Sequence, residues 1–181
     1  MIETEIKIVE VDAKKIEKKL FELGAQKIFE GNIEWLVFDS GNHFFSKKRV
    51  MIRLRKQGTK TILTTKQLLE KKHAKISEEH EVETTDFLET TKILQSMGFH
   101  VKRGYPINKH RISYVLGDVH FELDTFPSIP TFLEIEAPNR KAIDDYVLKL
   151  GLSLANIKPW GTREVFAHYR KMREQKKGRR S

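Results

Sequence analysis

The chain has 181 residues, 39% of them hydrophobic and 33% charged, a composition that suits one globular domain with a sizeable core and excludes an intrinsically disordered polyelectrolyte. No apolar run approaches the roughly 20 residues of a bilayer-spanning helix, and the absence of cysteine excludes a disulfide framework. The net charge of +9 is unevenly placed, since residues 171–181 carry +5 of it and residues 1–170 only +4.

From Ile2 to Val9 apolar and charged residues alternate with period two, which predicts a strand with one charged and one apolar face. Asp12 is a candidate N-cap for a helix over Ala13 to Leu23, with Ile16, Leu20 and Leu23 at helical spacing and Gly24 as its stop. A strand region follows from Gln26 to Phe38, then a loop through Asp39, Ser40, Gly41 and Asn42. Val50 to Arg55 and Thr61 to Lys66 read as a hairpin turning at Gln57-Gly58-Thr59. The polar stretch Glu70 to Ile76 is expected to be a long loop, after which alternation resumes from Ser77 to Thr84.

Asp86 is a second candidate cap, for a helix whose apolar residues are Phe87, Leu88, Ile93, Leu94 and Met97 and which ends at Gly98. Three strands are expected next, over Val101 to Val115, His120 to Thr125 and Phe132 to Glu136, with Pro127, Pro130 and Pro138 between and after them. Helices are predicted over Arg140 to Leu150 and Thr162 to Met172. The last, with Trp160, Val165, Phe166 and Tyr169, either plugs an opening or packs externally. A single domain over residues 1–170 and a disordered basic tail over 171–181 are the expected organisation. The fold class is α+β: a closed or nearly closed antiparallel β-barrel with helices packed outside.

Charged residues recur two apart on these strands: Glu3, Glu5 and Lys7; Arg53 and Arg55; Glu79, Glu81 and Glu83; Lys109 and Arg111; Glu122 and Asp124; Glu134 and Glu136. Residues i and i+2 of a strand project to one side, so each set is one patch. Any one pair alone is what the solvent face of a half-buried strand presents. Here the alternate residues are strongly apolar, as in Ile52 and Leu54, Phe121 and Leu123, or Leu133 and Ile135, and cations and carboxylates segregate by strand. With the apolar faces beneath outer helices, the charges must fill the lumen, where they need counter-charges and water. A multiply charged anion with a divalent cation supplies both. Arg53, Arg55, Lys66, Lys109 and Arg111 suit phosphate oxygens, and the carboxylates offer hard oxygen donors for Mg²⁺ or Mn²⁺.

In this order the motifs resemble the CYTH superfamily, the triphosphate tunnel metalloenzymes. Glu3-Thr4-Glu5-Ile6-Lys7 matches the ExExK signature at the N-terminus, followed by Arg53-Leu54-Arg55, Lys66, Glu79-His80-Glu81, Lys109-His110-Arg111, Glu122-Leu123-Asp124 and Glu134-Ile135-Glu136. The resemblance implies an eight-stranded antiparallel tunnel. In it Lys7, Arg53, Arg55, Lys66, Lys109 and Arg111 would bind a triphosphate and Glu3, Glu5, Glu134 and Glu136 a metal. Asp124, Glu79 and Glu81 would have supporting or second-metal roles. Glu5, Lys7 and Glu136 are the candidate catalytic residues.

The expected activity is metal-dependent hydrolysis of a triphosphate-containing small molecule, such as tripolyphosphate, thiamine triphosphate or a nucleoside triphosphate. The alternatives are a class IV adenylate cyclase and a non-catalytic binder of polyphosphate or RNA ends. The sequence holds no Walker loop, no His-Glu-x-x-His pair and no serine or cysteine nucleophile constellation. Trp35 and Trp160 are read as packing residues. A cytoplasmic location is expected from the acidic N-terminus and lack of cysteine, with no membrane partner. Nucleic acid would be met only through the basic tail, and a homodimer is left open.

Overall fold

A computed structural model describes residues 1–105 and 107–178. Eight strands close a barrel: β1 (Ile2–Ile8), β2 (Gln26–Ser40), β3 (Val50–Gln57), β4 (Lys60–Lys71), β5 (Lys75–Thr84), β7 (Ile107–Leu116), β8 (Val119–Phe126) and β9 (Ile129–Ala137), while β6 (Phe99–Val101) is an appendage. Around the barrel the order is β3-β4-β5-β1-β9-β8-β7-β2, and β2 pairs back onto β3 to complete the circle. Every pairing is antiparallel. β6 pairs with the end of β2, Phe38 to Ser40. Closure leaves the eight strands no free edge, so their backbone groups are satisfied within the ring.

The predicted alternation decides what faces where. Ile6, Ile8, Phe121, Leu123, Leu133 and Ile135 point outward, and with Ile16 and Leu20 of α1 (Ala13–Glu22) and Ile143 and Val147 of α4 (Arg140–Lys149) they form one core cluster. Leu36, Phe38, Ile52 and Leu54 point outward against Leu94 of α3 (Phe87–Ser96). Both expected caps are made, the Asp12 carboxylate accepting from the Lys15 amide and Asp86 from Glu89. Gly24 and Gly98 follow α1 and α3 with φ of +84° and +88°, a conformation that costs a glycine little. Among the described residues no helix is long and apolar enough to cross a membrane.

Three expectations about the strands and loops are corrected, and one about the C-terminal segment. The polar stretch from Glu70 is not a long loop: β4 runs to Lys71 and β5 starts at Lys75, with Lys72 N–H donating to the Ala74 carbonyl in a tight turn. Residues 101–115 are not one strand, because a turn through Arg103 and Gly104, the latter at φ +90°, separates β6 from β7. Asp39 and Ser40 belong to β2 rather than a loop. The segment expected to be a disordered tail is helical through Gly178, as the end of α5 (Thr162–Gly178), and residues 179–181 lie outside the described residues.

Asp39 organises the connection from β2 to β3. Its buried carboxylate accepts from the amides of Ser40, Phe45 and Ser46, from the Ser46 hydroxyl and from Lys102, and so holds the short helix α2 (Phe44–Lys47) against the barrel. Burial pushes its pKa up, but the Ser46 hydroxyl and these amides outweigh it and bring the value from the usual 3.8 to about 2. A depressed pKa stabilises the fold above the unfolded value and loses that contribution as pH falls through the folded one. Asp39→Ala is therefore expected to cost about 2–3 kcal/mol at neutral pH. In urea unfolding across a pH series, the gap from the wild type should close between pH 3.8 and about 2.

Candidate active site in the barrel lumen

The inward faces enclose a cavity of about 1350 Å³, lined by Glu3, Glu5, Lys7, Arg53, Arg55, Lys66, Glu79, Glu81, Lys109, Arg111, Glu134 and Glu136 among others. Cross-strand register sets the neighbours. Lys7 lies opposite Glu134 and Glu5 opposite Glu136 across β1 and β9, Lys66 faces Glu79 across β4 and β5, and Arg111 faces Asp124 across β7 and β8. Of the expected residues only Asp124 does not line the cavity.

Two ion-pair networks meet at β1 and β9. In the first, Lys66 Nζ lies 3.1 Å from Glu3, 2.9 Å from Glu5 and 3.1 Å from Glu79. Glu5 also takes Lys7 and Lys75, each at 3.0 Å, and Lys7 is in contact with Glu134. In the second, the Arg111 guanidinium grips Asp124 bidentately, with both nitrogens at 2.7 Å, and reaches Glu134 at 3.1 Å, while Lys109 donates to Asp124 at 2.6 Å. Arg53 and Arg55 meet Glu81 at the rim, at 3.5 and 3.2 Å.

The charges pull their neighbours' pKa values in opposite directions. Burial alone would raise Glu5 and Glu134, yet the adjacent cations, Lys7 foremost, hold both below the usual carboxylate range. Glu136 behaves differently. Burial, then the charges of Glu134, Glu3 and Glu5, push it well above that range, and only Lys66 pulls the other way among its main influences. Glu3 is raised to about 7 by burial and by its shared hydrogen bond with Glu79. Lys109 is lowered to about 8 by burial and by the neighbouring Arg111 charge. Perturbed groups gathered in one cavity make the lumen the candidate functional site.

The lumen has groups awaiting partners. The Nε donors of Arg53 and Arg55 are buried and make no hydrogen bond among the described residues. Glu136 has no cation within ion-pair distance among them. Oxygen-rich carboxylates suit a hard divalent cation, and of Glu3, Glu5, Glu134 and Glu136 only Glu136 lacks a cation within ion-pair distance among the described residues. Among the described residues no three carboxylate or histidine groups yet converge as a ready-made metal cluster, because lysines stand between them. Asp124 is occupied on both oxygens by Arg111 and Lys109, which makes it their counter-ion.

Sequence reasoning overlooked Lys75, which pairs with Glu5 deep in the lumen. Its signal was present: carried back two residues at a time from Glu79 through Ser77, the inward face of β5 begins at Lys75. Glu122, seen as one of a charged pair but not given a role, is buried against Arg111 and the Ser113 hydroxyl. Of the two placements open for α5, neither alone describes it: the helix lies over one end of the barrel, and Thr162, Arg163, Glu164 and Phe166 line the cavity beside it. Val165, Phe166 and Tyr169 pack on the lumen-facing Ile33, Trp35, Val37 and Phe132 at one end of the barrel. Trp35 meets Phe126 edge-on with centroids 6.1 Å apart, and Lys109 Nζ lies 5.5 Å from its ring.

A closed eight-stranded antiparallel barrel with helices outside and a lumen of paired cations and carboxylates defines a charged-tunnel protein. The chain belongs to the CYTH family: the CYTH domain model matches residues 1–177. Tunnel enzymes of this family are generally dependent on a divalent metal. The PH1012 protein of Pyrococcus horikoshii is 27% identical, with a TM-score of 0.74 over 90% of this chain and 98% of its own. A candidate adenylate cyclase of Vibrio parahaemolyticus is 17% identical, with a TM-score of 0.74 over 92% and 98% of the two chains. A Hippeastrum protein with a dominant triphosphatase activity is 13% identical, with a TM-score of 0.61 over 94% and 95%. No curated protein matches the chain by sequence.

Proposed function

We propose that the protein is a divalent-metal-dependent hydrolase of triphosphates that works inside the barrel. The observation that carries this reading is the pairing of unmet needs in one cavity: two buried arginine donors without acceptors, at Arg53 and Arg55, and a carboxyl group at Glu136 crowded by its own kind. A triphosphate supplies the acceptors and a divalent cation the missing positive charge. Lys7, Arg53, Arg55, Lys66, Lys109 and Arg111 bind the phosphate oxygens, Arg53 and Arg55 as forks, Arg111 through Nη1 and the lysines as point charges. Glu3, Glu5, Glu134 and Glu136 would hold Mg²⁺ or Mn²⁺, with Glu79, Glu81 and Asp124 as counter-ions that keep the cationic side chains in place.

When bound, the metal neutralises charge on the phosphoryl oxygens. Glu5 and Glu136, opposite one another on β1 and β9, orient a water for attack on the terminal phosphorus, and Glu136 accepts its proton. As the new P–O bond forms and the bridging P–O bond breaks, Lys7 stabilises the charge that develops on the phosphate oxygens. The triphosphatase activity of a Hippeastrum barrel of the same fold accords with this chemistry.

Phosphate release from tripolyphosphate, thiamine triphosphate, ATP and GTP, with Mg²⁺ or Mn²⁺ and with EDTA, tests the reading. Metal-dependent release is the expected result. Cyclic AMP formed from ATP would assign a cyclase instead, and tight binding without turnover would leave a non-catalytic binder. Arg53→Ala and Arg55→Ala each remove a charge-assisted phosphate contact of about 1.5–3 kcal/mol, so KM should rise about 10- to 100-fold in steady-state assays.

A further inference from the structure

The strands that present the phosphate-binding charges do not stop at them. One same-face step from Lys66 on β4 is Leu68, one step from Arg53 on β3 is Met51, and one step from Lys109 on β7 is Ile107. A step of two residues is about 6–7 Å, and all three run toward the end of the barrel occupied by α5. There Tyr105 and Phe166 join them, and these five side chains line the cavity as an apolar collar that is only partly buried.

Outside the collar the opening is basic. Arg49, Arg103 and Arg163 line it, and none has a carboxylate within ion-pair distance among the described residues. The adjacent Glu164 is already held by Lys71. The cavity, at about 1350 Å³, exceeds the roughly 300–1,000 Å³ of common small-ligand pockets, so three phosphates and a cation leave much of it unfilled.

We infer that this collar receives the non-phosphate end of the substrate and that this end is a neutral aromatic group of the nucleoside kind. The inference rests on the reading that the phosphates lie against Arg53, Lys66 and Lys109. The faces of Tyr105 and Phe166 reward a planar ring, and the arginine rim can stack on it or take its polar edge. The same rim repels a cationic ring such as the thiazolium of thiamine triphosphate. A bare inorganic triphosphate leaves the collar facing water and gains nothing from it.

Calorimetric titration of the full chain in Ca²⁺ with ATP, tripolyphosphate and thiamine triphosphate decides this without requiring turnover. ATP should bind at least tenfold more tightly than either of the others. Phe166→Ala and Tyr105→Ala should each narrow the ratio of ATP to tripolyphosphate affinity at least threefold. Arg103→Glu should narrow the ratio of ATP to thiamine triphosphate. Tripolyphosphate binding as tightly as ATP in the wild type overturns the inference even if a variant fails to fold, and so do folded collar variants with unmoved ratios. Hydrolysis without such a preference leaves the hydrolase reading standing and removes this one, whereas the preference without hydrolysis does the reverse.

Discussion

Glu136→Gln should lower metal-dependent phosphate release about 10²- to 10⁴-fold while making the protein more stable. The two effects have one cause. Glu136 is half-buried opposite Glu5 and near Glu134 and Glu3, and desolvation and these like charges work against its ionisation. An amide of the same shape removes the repulsion and keeps the hydrogen-bonding capacity, but supplies no negative charge to hold a cation. A gain of about 1 kcal/mol would raise Tm by about 2–4 °C in a chain of this size. A folded-state pKa raised above the unfolded one also means that the wild type loses stability as pH rises from the unfolded value toward the folded one. The glutamine variant, which keeps only the raised Glu3 and Glu122, should lose less. Thermal unfolding and phosphate assays on one preparation check both halves. If activity survives, the catalytic assignment fails; if activity and stability fall together, Glu136 is a packing residue.

Arg111→Met should show the opposite pattern, a collapse of stability and activity together. Its guanidinium is the shared counter-ion of Asp124, Glu134 and Glu122, and it is itself only 7% exposed. Removing one member of a buried charge network strands the rest, at a typical cost of 3–5 kcal/mol. The double variant Arg111→Met with Asp124→Asn removes the most closely held of the stranded charges and should recover part of the loss in urea unfolding. Phosphate release should not return, because the lost guanidinium charge also serves the substrate phosphates. Equal stability of the single and double variants would show that Asp124 does not depend on Arg111.

The two variants touch groups that were differently legible before folding. Glu136 and Arg111 both stood out because period-two alternation names the face a strand turns inward, and segregated charges on apolar-backed strands mark that face as a lumen. Periodicity is silent on register, and register made Asp124 the counter-ion of Arg111 and Glu136 the carboxyl without a cation. Lys75 was hidden for a related reason. The outer face of the β4–β5 hairpin near its turn mixes Gln67, Glu70 and Glu78 with Ile76 and carries a register shift between Leu68 and Glu70, so the apolar–charged alternation breaks down there and looks like a loop. α5 was visible as an amphipathic helix, but which surface covers Val165 and Tyr169 depends on where a closed barrel exposes apolar side chains, a property of tilt and closure rather than of any local segment.

The seam between β1 and β9 also governs when the protein can come into being. Lys7 lies opposite Glu134 and Glu5 opposite Glu136, so the barrel shuts by joining its first strand to its last. Loop closure over most of the chain must precede any reward from those pairs, which places the seam among the slow, late events of folding. On the ribosome the nascent β1 cannot meet its partner on that side until β9 has emerged. Until then Ile6, Ile8, Leu133 and Ile135 lack their full cover, and the unjoined edges of β1 and β9 are exposed to pairing with other chains.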